Sequence, residues 1–192
     1  MIYTEIEEKL KKLISHKRYL HSLGVAEFSK KLAIFYKYDV KKAYIAGLLH
    51  DCARDMDIDT LKEIVSKCNI TIGEVEKYHP ILLHAPAGAC IAKERFGIDD
   101  EDVLQAITSH TILNKNPSLL DKIIYVADLA EIERDFEEAQ LIRENAFSEI
   151  DKVVILCIDV TFRYLIGEHK MIHPITLYAR NLLIKEVYYG KD

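Results

Sequence analysis

Six side chains in this sequence are of the types that bind and use metal ions: His21, His50, Asp51, His84, His110 and Asp128. His50 and Asp51 close the apolar run Ala46-Gly47-Leu48-Leu49. A pair able to carry charge directly after an apolar helix is costly to bury unless something compensates it. The plain alternative is a solvated acid at a helix end. His21 sits among apolar neighbours and, alone, reads as a hydrogen-bonded core histidine. His84 precedes Ala85, Pro86, Ala87 and Gly88, small residues that let another helix or a ligand approach. His110 follows the apolar stretch Val103–Thr108, and Asp128 interrupts Ile123–Ala127. Alone, Asp128 reads as the partner of an arginine or a cap. Together, imidazoles and carboxylates suit borderline to hard ions such as zinc, manganese and iron. The six exceed what one tetrahedral zinc requires. They suffice for two ions if one carboxylate bridges, and a pair about 3.5–4 Å apart can activate water and neutralise a phosphoryl oxygen. No thiolate joins the set, which argues against a structural zinc ribbon.

The elements that must position these groups read as helices throughout. Ile150, Val153, Val154, Cys157, Ile158, Thr161 and Leu165 recur at helical spacing, as do Ile175, Ala179, Leu182, Leu183 and Val187. Leu120, Ile123, Ile124 and Ala127 mark a shorter helix, and Leu20, Leu23, Phe28, Leu32 and Phe35 mark one from about Arg18 to Tyr36. No stretch alternates with the period of a strand between hairpin turns. Thr60 with Glu63, and Thr71 with Glu74, fit capping boxes. Asp99–Asp102 put negative charge at a helix start. Pro80, Pro117 and Pro174 mark helix entries, and Gly97 and Gly167 helix ends. The expectation is an all-α single domain of roughly nine or ten helices.

The chain has 192 residues, long enough to bury a core without disulfides or a structural metal. Its longest apolar run, Val153–Ile158, is far too short to cross a membrane, and the charged N-terminus lacks a secretory signal. Net charge is −5 with no block of basic residues, so extended duplex binding is not expected, while a small anionic ligand held by a few local arginines is compatible with it. Cys52, Cys68, Cys90 and Cys157 show no close pairing, so reduced thiols in a cytoplasmic protein are expected.

The order His21, His50-Asp51, Asp128 resembles the signature of the HD-domain metal phosphohydrolases, and His84 and His110 are similar to those of its two-metal members. Residues Lys17–His21, Ala46–Asp51, Leu82–Ala89, Ser109–Thr111, Asp121–Asp128, Arg134–Phe136 and Ile172–Asn181 together resemble, over nearly the whole chain, the bacterial YqeK-type symmetrical bis(5'-nucleosyl)-tetraphosphatases. The resemblance implies an HD-domain, phosphodiesterase-like all-α fold and a di-iron centre, with manganese or zinc able to use the same ligands. His21, His50, Asp51 and Asp128 would hold one ion, and Asp51, His84 and His110 the other, with Asp51 bridging. Asp51, His84 and His110 would be the catalytic residues. Arg18, Arg134, His173, Thr176 and Arg180 would face the nucleotide phosphates.

The implied reaction is attack of a metal-bound hydroxide on an inner phosphate of diadenosine tetraphosphate, giving two ADP. The partners are then small nucleotides, with ADP or GDP as product-like ligands. No membrane or nucleic-acid duplex is expected, and a homodimer is open. Other nucleotides as substrates, a sensor without turnover and a helical adaptor are the alternatives. Tyr125 and Tyr178 are the aromatic candidates for base stacking. His169 and His173, four apart, could form a separate metal pair, but Pro174 starts a new helix beside them. Residues 111–117 and 131–134 depart from the family pattern: Ile112-Leu113 stands for Thr-Gly, and Glu131-Ile132-Glu133-Arg134 for Glu-Pro-Gly-Arg.

Overall fold

A computed structural model describes residues 2–190, and within them every regular element is helical. Eleven α-helices follow one another: α1 (Ile2–Leu13), α2 (His16–Phe35), α3 (Val40–Leu49), α4 (Ile58–Lys67), α5 (Glu74–Tyr78), α6 (His84–Phe96), α7 (Glu101–Ser109), α8 (Leu119–Ala130), α9 (Glu137–Asn145), α10 (Ile150–Gly167) and α11 (Pro174–Ile184). A 3-10 turn over Pro80–Leu83 leads into α6, and a π-helical turn over Lys185–Tyr189 extends α11.

The core is α8. Leu120, Ile123, Ile124, Val126, Ala127 and Ala130 are fully buried around its circumference. The helices α2, α3, α7 and α10 pack against it, and α2 also packs extensively on α3. Apolar burial at about 25 cal/mol per Å² is what holds so many helices on one central element.

The face of α2 that enters the core differs from the sequence expectation. Leu20 is 39 % exposed and Phe35 49 % exposed. Leu32 is buried in line with that expectation, and the rest of the buried face is Tyr19, His21, Ser22, Val25, Ala26, Ser29 and Ala33. Small residues prevail there because α3 approaches closely. A Cβ on Gly47 would stand 2.9 Å from the Ala26 Cα and 2.9 Å from Ser29 Oγ.

Several helix ends also move. Asp57, not Thr60, caps α4, accepting from the Thr60 N–H, and α5 starts after Gly73 with no capping side chain. Aspartate one turn earlier wins because an ionised acceptor binds a backbone N–H more strongly than a hydroxyl does. Asp100 caps α7, Ser118 caps α8 in a reciprocal box with Asp121, and Pro174 opens α11. Gly97 takes the left-handed conformation that ends α6. Gly167 is the last residue of α10, as expected, and the left-handed position two residues on is taken by His169 (φ 53°).

Cys52 and Cys157 are buried free thiols, as expected. Cys68 and Cys90 are not: they are joined as a disulfide, with Cα atoms 6.7 Å apart. Their separation of 22 residues carries no pairing signal in sequence. They meet because α4 packs on α6. No helix of the described residues is long and apolar enough to cross a membrane.

Candidate metal centre

Five helices deliver the six candidate ligands. His21 comes from the interior of α2, His50 and Asp51 from the turn ending α3, His84 from the first residue of α6, His110 from the residue after α7, and Asp128 from α8 near its end. All four imidazoles and Asp51 are buried, and His50 is completely so.

The histidines after α3, at the start of α6 and after α7 are oriented in the same way. Nδ1 of His50 lies 2.7 Å from the Gly47 carbonyl, Nδ1 of His84 2.5 Å from that of Ile81, and Nδ1 of His110 2.8 Å from that of Ile107. A carbonyl only accepts, so Nδ1 carries the proton, and in the neutral ring the Nε2 lone pair is left for a ligand. These Nε2 atoms converge. His50 Nε2 is buried without a hydrogen-bond partner. Nε2 of His84 and of His110 face each other at 3.1 Å, and two lone pairs at that distance repel unless a proton or a cation lies between them.

Asp51 stands between the two halves of the cluster. Its Oδ1 is 3.1 Å from His84 Nε2 and 3.5 Å from His110 Nε2. Its Oδ2 is 3.7 Å from His50 Nε2 and 3.9 Å from His21 Nε2. Asp128 Oδ1 completes the second half, 3.1 Å from His21 Nε2 and 3.8 Å from His50 Nε2. Three overlapping sets arise whose ligand atoms lie within 4.8 Å of one another: His21, His50 and Asp51; His50, His110 and Asp128; Asp51, His84 and His110.

The electrostatics suit a cation. Burial alone would raise the Asp51 carboxyl, but His50, His110 and His84 together hold it well below the usual range. Asp128 is likewise held low against its burial, by His21, Arg134 and His50. Burial drives the His50 imidazole down to about 4 and lowers His84, so both stay neutral and able to coordinate. This chemistry, with its orphaned nitrogen and facing lone pairs, fits two bound metal ions.

Arginines rim the cluster. Arg18 Nη1 contacts Asp51 Oδ2 at 2.6 Å, and Arg134 forms a short ion pair with Asp128. Both line a cleft of about 500 Å³ together with His21. Arg134 is placed by a tight turn: its N–H donates to the Glu131 carbonyl, and Arg143 braces that same carbonyl. No residue of the turn takes a positive φ, so Ile132-Glu133 closes it where the resembling family has Pro-Gly.

The other nucleotide candidates lie on a different wall. His173 and Thr176 line a second cavity, of about 270 Å³, with Thr111 and Ile112. His173 caps α11, and its Nε2 is 3.3 Å from Glu76. Thr176 is buried and donates to the Ile112 carbonyl. Arg180 pairs with Asp159 on α10 and borders neither cavity. Tyr125 is buried in the core, which removes it as a stacking surface, whereas Tyr178 is exposed. His169 and His173 form no ligand group among the described residues.

The loop after His110 carries the other departure. Leu113 adopts φ 57° and is 1 % exposed. A bulky side chain there costs about 1–2 kcal/mol in backbone energy, offset by about 1.5–3 kcal/mol from burying the side chain.

Sequence reasoning missed Arg54, half-buried one turn beyond Asp51, whose electrostatic neighbours include Asp51, Asp128, Arg18 and Arg134. Its position three residues after Asp51 was the available signal. It also missed Glu131, which faces His21 from 110 residues away.

Comparison with known proteins places the site in a family context. The HD domain model matches residues 18–133. A protein of Halalkalibacterium halodurans named bis(5'-nucleosyl)-tetraphosphatase, symmetrical, is 36 % identical over 90 % of this chain and 92 % of its own length. One of the same name from Bacillus subtilis is 32 % identical over 91 % and 94 %. A crystal structure from Clostridium acetobutylicum, described as a predicted HD superfamily hydrolase involved in NAD metabolism, superposes with a TM-score of 0.92 at 40 % identity, covering 96 % of this chain and 97 % of that one.

Proposed function

Since the chain belongs to the HD-domain hydrolases, within the family of symmetrical bis(5'-nucleosyl)-tetraphosphatases, we propose that it hydrolyses dinucleoside tetraphosphates, diadenosine tetraphosphate first among them, to two nucleoside diphosphates. The observation that carries the reading is the division of Asp51: one carboxylate oxygen faces His84 and His110, the other His21 and His50. A carboxylate so placed would offer one oxygen to each half of the cluster when ions are held there. Two bound ions, iron by the family resemblance with manganese and zinc open to the same donors, would supply an activated water and neutralise charge on the attacked phosphate.

The protein's own residues do the rest. The backbone carbonyls of Gly47, Ile81 and Ile107 fix the tautomers that leave Nε2 of His50, His84 and His110 as ligands. Arg18 and Arg134 line the cleft beside the cluster with charges that persist at any working pH, suited to bidentate contact with phosphate oxygens. His173 and Thr176 sit on the opposite side, beside Thr111, where a second nucleotide half would extend. Cleavage at the middle anhydride puts the water oxygen on one inner phosphorus. The bridging oxygen leaves with the other diphosphate.

The test is product analysis. The protein is loaded with iron or manganese under reducing conditions and given diadenosine tetraphosphate. Two equivalents of ADP are expected, lost on chelation and abolished in Asp51→Asn. ATP with AMP would reject the scissile bond, and no product at verified two-metal occupancy would reject the substrate class.

A further inference from the structure

His21 has a different orienting problem from the other three histidines. Those stand at helix ends, where the carbonyl three residues back is within reach of Nδ1. His21 lies in the middle of α2, where the carbonyls behind it serve the helix ladder. Its ring therefore needs a partner from elsewhere. That partner is Glu131, the residue that ends α8. Glu131 is a carboxylate only 1 % exposed. Its Oε2 is 3.2 Å from His21 Nδ1, and its Oε1 accepts the Glu133 N–H at 2.8 Å. Asp128, one turn earlier on the same helix, is 3.1 Å from His21 Nε2, so the end of α8 grips both ring nitrogens.

The opposing helix is shaped for this. Gly24, one turn beyond His21 on α2, leaves a space that the Glu131 side chain fills. A Cβ on Gly24 would stand 2.5 Å from Oε1, 2.7 Å from Cγ and 2.8 Å from Cδ. The donor and acceptor count is also specific to glutamate. Two donors, His21 Nδ1–H and the Glu133 N–H, meet two carboxylate oxygens. Glutamine would turn an NH2 toward one of those donors, and aspartate is one methylene too short.

We propose that Glu131, seated against Gly24, is the positioning residue that fixes the tautomer, orientation and ligand strength of His21. A carboxylate behind a ligating imidazole strengthens it as a ligand, and losing such a partner typically costs about 10–100-fold in metal affinity. The proposal rests on the metal-centre reading and assigns Glu131 to one half of the centre only, the half containing His21 and Asp128.

The experiment is titration of the full-length apo protein with Mn²⁺ alone, with free Mn²⁺ read by electron paramagnetic resonance and the apo protein's Tm measured alongside. Wild type is expected to bind two ions. Glu131→Gln and Gly24→Ala are each expected to weaken one ion about 10–100-fold and spare the other. Gly24→Ala leaves Glu131 in the chain and displaces it from the other side, so agreement between the two variants ties the effect to the carboxylate's placement. Wild-type affinities at both ions in both variants would overturn the proposal and leave the metal centre standing. Equal weakening of both ions with a lowered apo Tm would also overturn it, making Glu131 a general structural group. Failure of wild type to bind Mn²⁺ would overturn the metal-centre reading and this proposal with it.

Discussion

Gly47→Ala asks whether the crossing of α2 over α3 sets the distance between His21 and His50. The new Cβ would meet the Ala26 Cα at 2.9 Å, Ser29 Oγ at 2.9 Å and the Ala26 N at 3.1 Å. Carbon pairs are comfortable at about 3.5–4.0 Å, so the helices must separate by roughly 0.6–1 Å. The obstacle is helix backbone, which cannot turn aside as a side chain tip can. Overpacking of this kind costs about 1–3 kcal/mol, while alanine in a helix interior gains about 1 kcal/mol over glycine. The net is a loss of up to about 2 kcal/mol, or a Tm lowered by up to about 8 °C in a chain of this size. The displacement also reaches the metal centre, because His50 Nδ1 is held by the Gly47 carbonyl itself. Calorimetry of the apo variant and metal titration of the same preparation read both effects. A raised Tm with two undiminished metal affinities would refute the reasoning, since it would mean that helix propensity alone decides the site.

Chelation should lower the Tm of the metal-loaded protein. Each ion present at about 100 times its dissociation constant stabilises by about 2.7 kcal/mol, so removing two should lower the Tm by about 11–22 °C in scanning calorimetry. Tyr36 links stability to alkaline pH. Its single hydroxyl proton is shared between the carbonyls of Ala146, at 2.7 Å, and Ser148, at 2.9 Å, and burial raises its pKa to about 12. The unfolded side chain ionises near pH 10, so its contribution is complete below pH 10 and is lost as pH rises through about 12. Tyr36→Phe should lose about 1 kcal/mol at neutral pH and show a shallower decline in urea midpoint between pH 10 and 12.

Much of the frame is legible in the residues, for identifiable reasons. α8 and α10 bury large aliphatic side chains, and the helical period of Leu120, Ile123, Ile124, Val153, Val154, Cys157 and Ile158 is a direct record of that burial. α2 misleads because closeness to α3 selects alanine, serine and glycine for the inner face and leaves Leu20 and Phe35 outside. The candidate ligands are legible by type, since a histidine or aspartate amid apolar helix needs a reason to be there. Their support is not. The contact between Glu131 and His21 spans 110 residues. Cys68 and Cys90 meet only through the packing of α4 on α6.

Leu113 bears on how a substrate enters. Glycine in a left-handed position leaves a loop free to swing, whereas Leu113 inserts its side chain into the core and closes its N–H on the Ser109 carbonyl at 2.7 Å. The segment following His110 is thereby anchored three residues from that ligand, and Thr176 clasps it from α11 through Ile112. This wall is a fixed template rather than a lid. Recognition on this side then rests on a shape already in place, with little ordering cost at the moment of binding. Under the proposed function, adjustment to ligands of different length would fall to the arginine side, where Arg18 and Arg134 line the cleft with long side chains.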